Sequence, residues 1–324
     1  MQHDTINESE KAGATLDSRT DGCGDLAVGS PSPALRFLAW ATRSGMLRRG
    51  YSWPLALLPS RIWGGESVRA RTFLGPMCLR TNDRSSSSLL FFGLLPHERR
   101  ETSLVASLAA NCRIMFDVGA QYGWYARLMA RAAPRGHVYA FEPDPVTYQY
   151  LAYNTADLSN VFSFQMAVGA EARQVTFWRA KTSDLSSAVR RVGEPMQVKC
   201  CTLDGFYQQQ GLIGVDFVKC DVEGGEEFVL RGAQTLMSHP TPPIWMLEVI
   251  DSFLTEAGCN SRNLLRILRG ACPEGKIYTQ DSEGRPLEIS DFSERILGNN
   301  VFFVPPARLE LFSESVAAVG KVNK

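Results

Sequence analysis

Two short runs of this chain set acidic side chains beside glycines in a way that suits a charged ligand. In Asp117-Val-Gly-Ala-Gln-Tyr-Gly123, Gly119 and Gly123 allow a tight bend at the start of a helical segment. The free amides of a helix start face outward there and favour an anion. Asp117 stands two residues before the first glycine. A dinucleotide pyrophosphate disfavours that neighbouring charge, and the G-x-x-x-G spacing lacks the third glycine of the dinucleotide fingerprint. A ligand with cationic amino and sulfonium groups and its own carboxylate suits the run better. Glu142, about 20 positions on, stands where a carboxylate accepts hydrogen bonds from both ribose hydroxyls. S-adenosylmethionine, a positively charged nucleoside, satisfies both acidic positions, whereas the extra phosphate of NADP would be repelled. An NAD-dependent oxidoreductase is the weaker rival.

The second run, Asp221-Val-Glu223-Gly-Gly-Glu226, and the lone Glu248 offer carboxylates to an acceptor. Methyl transfer from a sulfonium is an in-line displacement, so positioning supplies much of the acceleration. An alcohol acceptor must also lose its proton, which asks for a general base or a metal ion. The four histidines (His3, His97, His137, His239) all avoid the expected strand ends. The catalytic candidates are therefore Asp221, to orient or deprotonate the acceptor, with Glu223 and Glu248 shaping its pocket. In a competing reading Asp221 and Glu223 are structural, and Glu223-Gly-Gly-Glu226 is a helix entry whose carboxylates favour the positive end of the next helix. Mg²⁺ held by Asp221 and Glu248 through oxygen ligands is a further alternative, but two carboxylates are too few to assign a metal.

These residues need a scaffold that gathers them. From Arg113 onward, short apolar runs alternate with segments of helical period, the pattern of parallel strands joined by crossover helices. Expected core strands are 114–118, 138–141, 161–166, 215–218 and 244–247. Tyr125, Leu128, Met129 and Ala132 mark one face of the first crossover helix. Asp144 and Pro145 read as a helix cap and first turn. Residues 174–202 are expected to insert a strand pair, and 276–279 with 301–304 an antiparallel pair at the sheet edge. In such a sheet ligands collect at the carboxyl ends of the strands. Asp117, Glu142, Asp221 and Glu248 all fall at those ends.

The ordered series Asp117–Gly123, Tyr139-Ala-Phe-Glu-Pro-Asp144, Ala167-Val-Gly169, Thr202-Leu-Asp204, Phe217–Glu226, Leu230-Arg-Gly-Ala233 and Asn300–Val304 resembles that of the FkbM-type methyltransferases. The likeness covers roughly residues 70–305. It implies a class I, Rossmann-like α/β fold with a seven-stranded, mostly parallel sheet, and S-adenosyl-L-methionine as cofactor. It also implies O-methylation of a hydroxyl on a sugar, glycolipid or polyketide-type molecule. By this resemblance Asp117, Gly119, Gln121 and Gly123 serve the methionine portion, Glu142 the ribose, and Met166 and Ala167 the adenine. Gln121 stands where asparagine is usual, and Cys220 and Gly225 replace the commoner isoleucine and alanine. An N-methyltransferase, or a non-catalytic S-adenosylmethionine-binding module in a biosynthetic complex, are the alternatives.

Composition bounds the rest. With 34 basic and 34 acidic residues, the net charge of zero disfavours a globally basic nucleic-acid binder. No apolar stretch approaches the roughly 20 residues of a membrane span, and no signal peptide is evident, so a cytoplasmic setting is expected. The eight scattered cysteines contain no C-x-x-C and suggest neither disulfides nor zinc. Residues 1–34 are acidic and polar and are expected to be disordered. Residues 35–102 form a basic extension with eleven arginines, four carboxylates and no lysine. Within it, a helix near 35–47 either docks on the main domain or, with the segment 35–72, meets an anionic partner such as a lipid headgroup. The methyltransferase domain is expected over 103–305, with a loosely attached tail over 306–324. Trp124, Tyr125 and Trp178 could stack on a sugar face.

Overall fold

Three apolar runs become the middle of a sheet because each is covered on both faces, as parallel strands require. The computed structural model describes residue 26 and residues 28–43, 65–81, 83–95, 98–281, 285–290 and 299–322. Its strands, in chain order, are β1 (Val28–Gly29), β2 (Ser67–Thr72), β3 (Gly75–Arg80), β4 (Ile114–Val118), β5 (His137–Phe141), β6 (Val161–Phe164) and β7 (Ala167–Val168). They continue with β8 (Arg173–Arg179), β9 (Glu194–Cys201), β10 (Phe217–Cys220), β11 (Ile244–Glu248), β12 (Lys276–Gln280), β13 (Pro286–Ile289) and β14 (Asn300–Val304). The main sheet runs β13-β12-β14-β11-β10-β4-β5-β6. Pairing is parallel from β11 through β6 and antiparallel where β14, β12 and β13 join.

This is the Rossmann-like α/β arrangement of class I methyltransferases, with eight strands among the described residues where seven were expected. The additional strand is β13, which folds back on the free edge of β12. Strands β12 and β14 do pair, through Ile277 and Phe303. Chain order reverses between β4 and β10, so their carboxyl ends open a crevice at a topological switch point. Register places Lys219 beside Asp117 across that seam. The inserted pair β8 and β9 is antiparallel and joins β7 in a small separate sheet.

The N-terminal extension is part of the core. Leu35, Val68, Leu79 and Phe91 share one apolar cluster with Met115, Val138 and Tyr150. Residues 28–34, expected to be disordered, instead supply β1, which pairs with β2, and the first turn of the helix Pro33–Arg43. The acidic residues 1–25, for which disorder was also expected, lie outside the described residues. The C-terminal segment needs correction as well. Leu309–Val322 is a helix that buries Phe312 against Phe302 and Tyr278, and Ser107 Oγ donates to the Ser315 carbonyl. Among the described residues no helix is long and apolar enough to cross a membrane.

Candidate active site

A cavity of about 1120 Å³ opens at the switch point. Its wall includes Gly119, Gln121, Glu142, Met166, Ala167, Lys219, Asp221, Glu223 and Glu248. Eight of the ten expected site residues therefore face one space. The other two do not. Asp117 is wholly buried behind the turn, and Gly123 turns its α-carbon toward Leu151 and Thr155.

The turn after β4 is shaped by backbone crossing. Gly119 has φ +78°, and an added Cβ would run into the Asp221 carbonyl. Gly123 (φ +84°) caps the helix Trp124–Ala132 in the left-handed conformation, and a Cβ there would meet Leu151 Cδ1 at 2.9 Å. Both glycines thus let neighbouring elements approach, the first at the cavity wall and the second away from it. Gln121 lies between them at φ +49°, a conformation that asparagine tolerates better than glutamine. Its place is held at both ends. Its amide donates to Glu142 Oε2 at 3.0 Å, and its Nε2 donates to Ser183 Oγ at 2.7 Å.

Glu142 also accepts from the Asp144 amide through Oε1, at 3.0 Å. Two backbone amides therefore fix its carboxyl plane at the mouth of β5. Burial nevertheless pushes its pKa up to about 8, because desolvation penalises the charged form. Asp144 itself caps the helix Pro145–Thr155, accepting from Val146 N, and pairs with Arg179 of β8.

Lys219 organises the opposite half of the cavity. Its Nζ lies 3.1 Å from Asp221 Oδ2 and 3.8 Å from Asp117 Oδ1, and it donates to the Gly119 carbonyl at 3.2 Å. The Tyr125 ring lies 5.3 Å away. Burial lowers the lysine's pKa, but the carboxylates of Asp221 and Asp117 outweigh it and the net shift is upward. Asp117 is pushed up to about 6, first by burial and against the pull of Lys219. Among the described residues neither of its oxygens has a full hydrogen bond, and the Ala126 amide only draws its pKa down. Lys219 sits within the quoted β10 run, yet the reading by strand ends passed over it. Aligning β4 with β10 would have exposed it, since a buried lysine beside a buried aspartate is a strong pairing signal.

Asp221, Glu223 and Glu248 bring carboxylate oxygens within 4.8 Å of one another. Their environments differ. Asp221 is paired with Lys219 and keeps 27% of its side chain exposed to the cavity. Glu248 is driven well above the usual carboxylate range, first by burial and then by the negative charges of Asp221 and Glu223. Glu223 has φ +55° and approaches Arg190 at 3.6 Å, while its carbonyl accepts from Ser187 Oγ. Arg190 also pairs with Glu256 at 2.6 Å and lies over the Phe253 ring at 3.7 Å.

Other expectations resolve into structural roles. Thr202 Oγ1 accepts from Gly205 N, and Asp204 accepts from Thr235 N and Leu236 N, so both cap helices. Glu226 Oε1 receives the amides of Val222 and Gly224 and staples the turn after β10. His137 packs edge-on to Phe162, and His239 bonds Thr241, both away from the cavity. His3 and His97 lie outside the described residues. Trp124, Tyr125 and Trp178 all line the cavity, the first two almost fully buried.

Fold and cavity together define a class I methyltransferase type of domain. Residues 117–270 match the methyltransferase FkbM domain. The chain is 25% identical over 153 residues to the 2-O-methyltransferase NoeI of Sinorhizobium fredii (strain NBRC 101917 / NGR234), covering 42% of this chain and 63% of that one. It is 29% identical over 163 residues to the methyltransferase sdnD of Sordaria araneosa, covering 40% and 62%. The chain thus spans about three fifths of the length of these curated relatives. Among solved structures, a SAM-dependent methyltransferase from Agrobacterium tumefaciens overlaps 77% of this chain and 80% of its own, at 8% identity and a TM-score of 0.40.

Proposed function

We propose that this chain is an S-adenosylmethionine-dependent methyltransferase that methylates a hydroxyl on a sugar, glycolipid or polyketide-type small molecule in the cytoplasm. The observation that carries the reading is the pairing, across one cavity, of an amide-fixed Glu142 with a lysine-paired Asp221. The residues fit the cofactor. Glu142 presents a carboxyl group to a ribose, Met166 and Ala167 offer an apolar edge to an adenine, and the buried Asp117 adds negative potential behind the turn. When bound, S-adenosylmethionine supplies an activated methyl group on a sulfonium.

The chain's own residues must then hold the acceptor and manage its proton. Asp221 would accept a hydrogen bond from the acceptor hydroxyl and take up its proton. Lys219 fixes the aspartate's orientation through Oδ2. Glu248, at the same cavity wall, offers its unpartnered Oε2 to the acceptor or its neighbouring oxygen. Trp178, with Arg191 5.9 Å from its ring, offers a face for stacking. Oxygen as the acceptor atom draws support from the curated name of NoeI. Because Lys219 already supplies a cation among these carboxylates, activity is expected to survive a chelator. A loss restored by Mg²⁺ would assign the cluster to a metal instead.

The test is transfer of labelled methyl from S-adenosylmethionine to hydroxylated acceptors, run with the Asp221→Asn variant. Cofactor affinity should stay within about twofold while turnover falls by about 100-fold or more. Full turnover in that variant removes Asp221 from the chemistry. Cofactor binding without transfer to any acceptor would favour the non-catalytic module.

A further inference from the structure

The helix Pro33–Arg43 has two unlike sides. Leu35 and Ala39, one turn apart, are buried in the shared core. Phe37 and Trp40 leave 60% and 56% of their surface exposed. At 3.6 residues per turn, Arg36, Trp40 and Phe37 follow one another around the outward side. The two rings lie against each other, with centroids 5.7 Å apart. Two adjoining, exposed aromatic side chains on one helical turn form an apolar patch that a solvated face does not need.

The charge of the surrounding chain is one-sided. Between Asp25 and Glu66 there is no aspartate or glutamate, but there are five arginines: Arg36, Arg43, Arg48, Arg49 and Arg61. A second copy docked on this helix face by a two-fold axis would set Arg36 against its own counterpart. An anionic bilayer meets both features at once. Aromatic rings settle at the level of the headgroups, and basic side chains pair with anionic lipids.

We propose that the helix Pro33–Arg43 is a peripheral docking element for anionic lipid surfaces, with Phe37 and Trp40 seated among the headgroups and Arg36 beside their phosphates. The helix is eleven residues long, far short of a span, and its buried side stays in the protein core, so it lies on the surface of the bilayer. This inference is independent of the methyl-transfer reading.

Sedimentation of the full chain with vesicles provides the test. Vesicles of phosphatidylcholine mixed with phosphatidylglycerol should carry the protein down, and added salt should release it. Pure phosphatidylcholine vesicles should capture much less. The double variant Phe37→Ser/Trp40→Ser should bind the anionic vesicles at least about tenfold more weakly, since two aromatic insertions are lost. Arg36→Glu should weaken binding to anionic vesicles and leave the small uptake by neutral ones unchanged. Thermal melts of both variants should match the parent, because the replaced side chains face outward. No capture by anionic vesicles, or capture undiminished in the double variant, overturns the proposal. So does a parent that elutes as a dimer which the double variant converts to a monomer, because a second copy then covers the rings.

Discussion

The two halves of the cavity hold their carboxyl groups by different means. On the β5 side a single glutamate, Glu142, is fixed by two backbone amides. On the β10 side the carboxyl groups of Asp221, Glu223 and Glu248 gather within 4.8 Å of one another, and side-chain cations hold two of them, Lys219 pairing with Asp221 and Arg190 with Glu223. The first arrangement is geometric and depends on the path of the turn. The second is electrostatic and depends on Lys219. A site of the first kind suits a ligand of invariant shape, whereas one of the second kind can adjust a proton. Under the proposed function the first is the cofactor half and the second the acceptor half.

The sharpest way to break the comparison is to remove the cation. Lys219→Met leaves Asp117 and Asp221 without their shared partner, and deleting one member of a buried ionic group costs about 3–5 kcal/mol. Urea unfolding should report a loss of that order, with turnover abolished. A loss below about 1 kcal/mol, the size of a surface pair, would show that the acceptor half is not organised by Lys219. The Asp221→Asn variant lies next in size, with its effect confined to turnover. If it weakened cofactor binding as strongly as turnover, the two halves would not be separable.

Glu142→Gln acts on the other half. It keeps the shape of the group but puts an amide NH2 where an oxygen now accepts from Gln121 N or Asp144 N, and a buried hydrogen bond left unmade costs about 1–3 kcal/mol. Calorimetric titration with S-adenosylmethionine should weaken by about tenfold or more, with turnover at saturation changed much less. The same residue makes a pH prediction. Folding raises the pKa of Asp117, Glu142 and Glu226 to about 6, 8 and 7. Between their ordinary values and these, the folded state holds protons that the unfolded state has released. Stability should therefore fall as pH rises from roughly 5 to 8. In Glu142→Gln the upper part of that fall should flatten, and a parent melting temperature constant across the range would contradict the assignment.

How much of this was legible in the sequence follows the same division. The β4, β5, β10 and β11 strands announce themselves as apolar runs, and their ends carry Asp117, Glu142, Asp221 and Glu248. Placing eight of the ten expected residues on one cavity wall needed only the rule that ligands gather at such ends. Gly123 and Asp117 were read as ligand contacts because their spacing suits one. The structure gives the glycine to Leu151 and the aspartate to Lys219, and neither tertiary contact leaves a mark in local spacing. Lys219 was hidden for a similar reason. A lysine inside an apolar strand becomes informative only once register sets it beside Asp117. The helix Leu309–Val322 was missed because its burial depends on Phe302 and Tyr278, which come from distant strands.

The smallest expected effect concerns the contact between the cofactor turn and the rest of the molecule. Ser183 donates through its amide and hydroxyl to Asp83 Oδ2, at 2.8 and 2.7 Å, and receives Gln121 Nε2 on the same hydroxyl. Asp83 belongs to the N-terminal extension and caps the helix Arg84–Phe92. One hydroxyl thus ties extension, insert and turn together, and holds Gln121 in its left-handed conformation. On the acceptor side, Ser187 and Arg190 of the same insert hold Glu223, the other non-glycine residue with positive φ among the described residues. Ser183→Ala deletes the Gln121 tie while leaving the amide bond to Asp83. At about 1 kcal/mol for such a hydrogen bond, S-adenosylmethionine should bind about fivefold more weakly. Turnover at saturating cofactor should remain close to the parent value, because Ser187 and Arg190 are untouched. A drop in saturated turnover equal to the drop in affinity would mean that the insert couples the two halves, and that they are one site held by one strap.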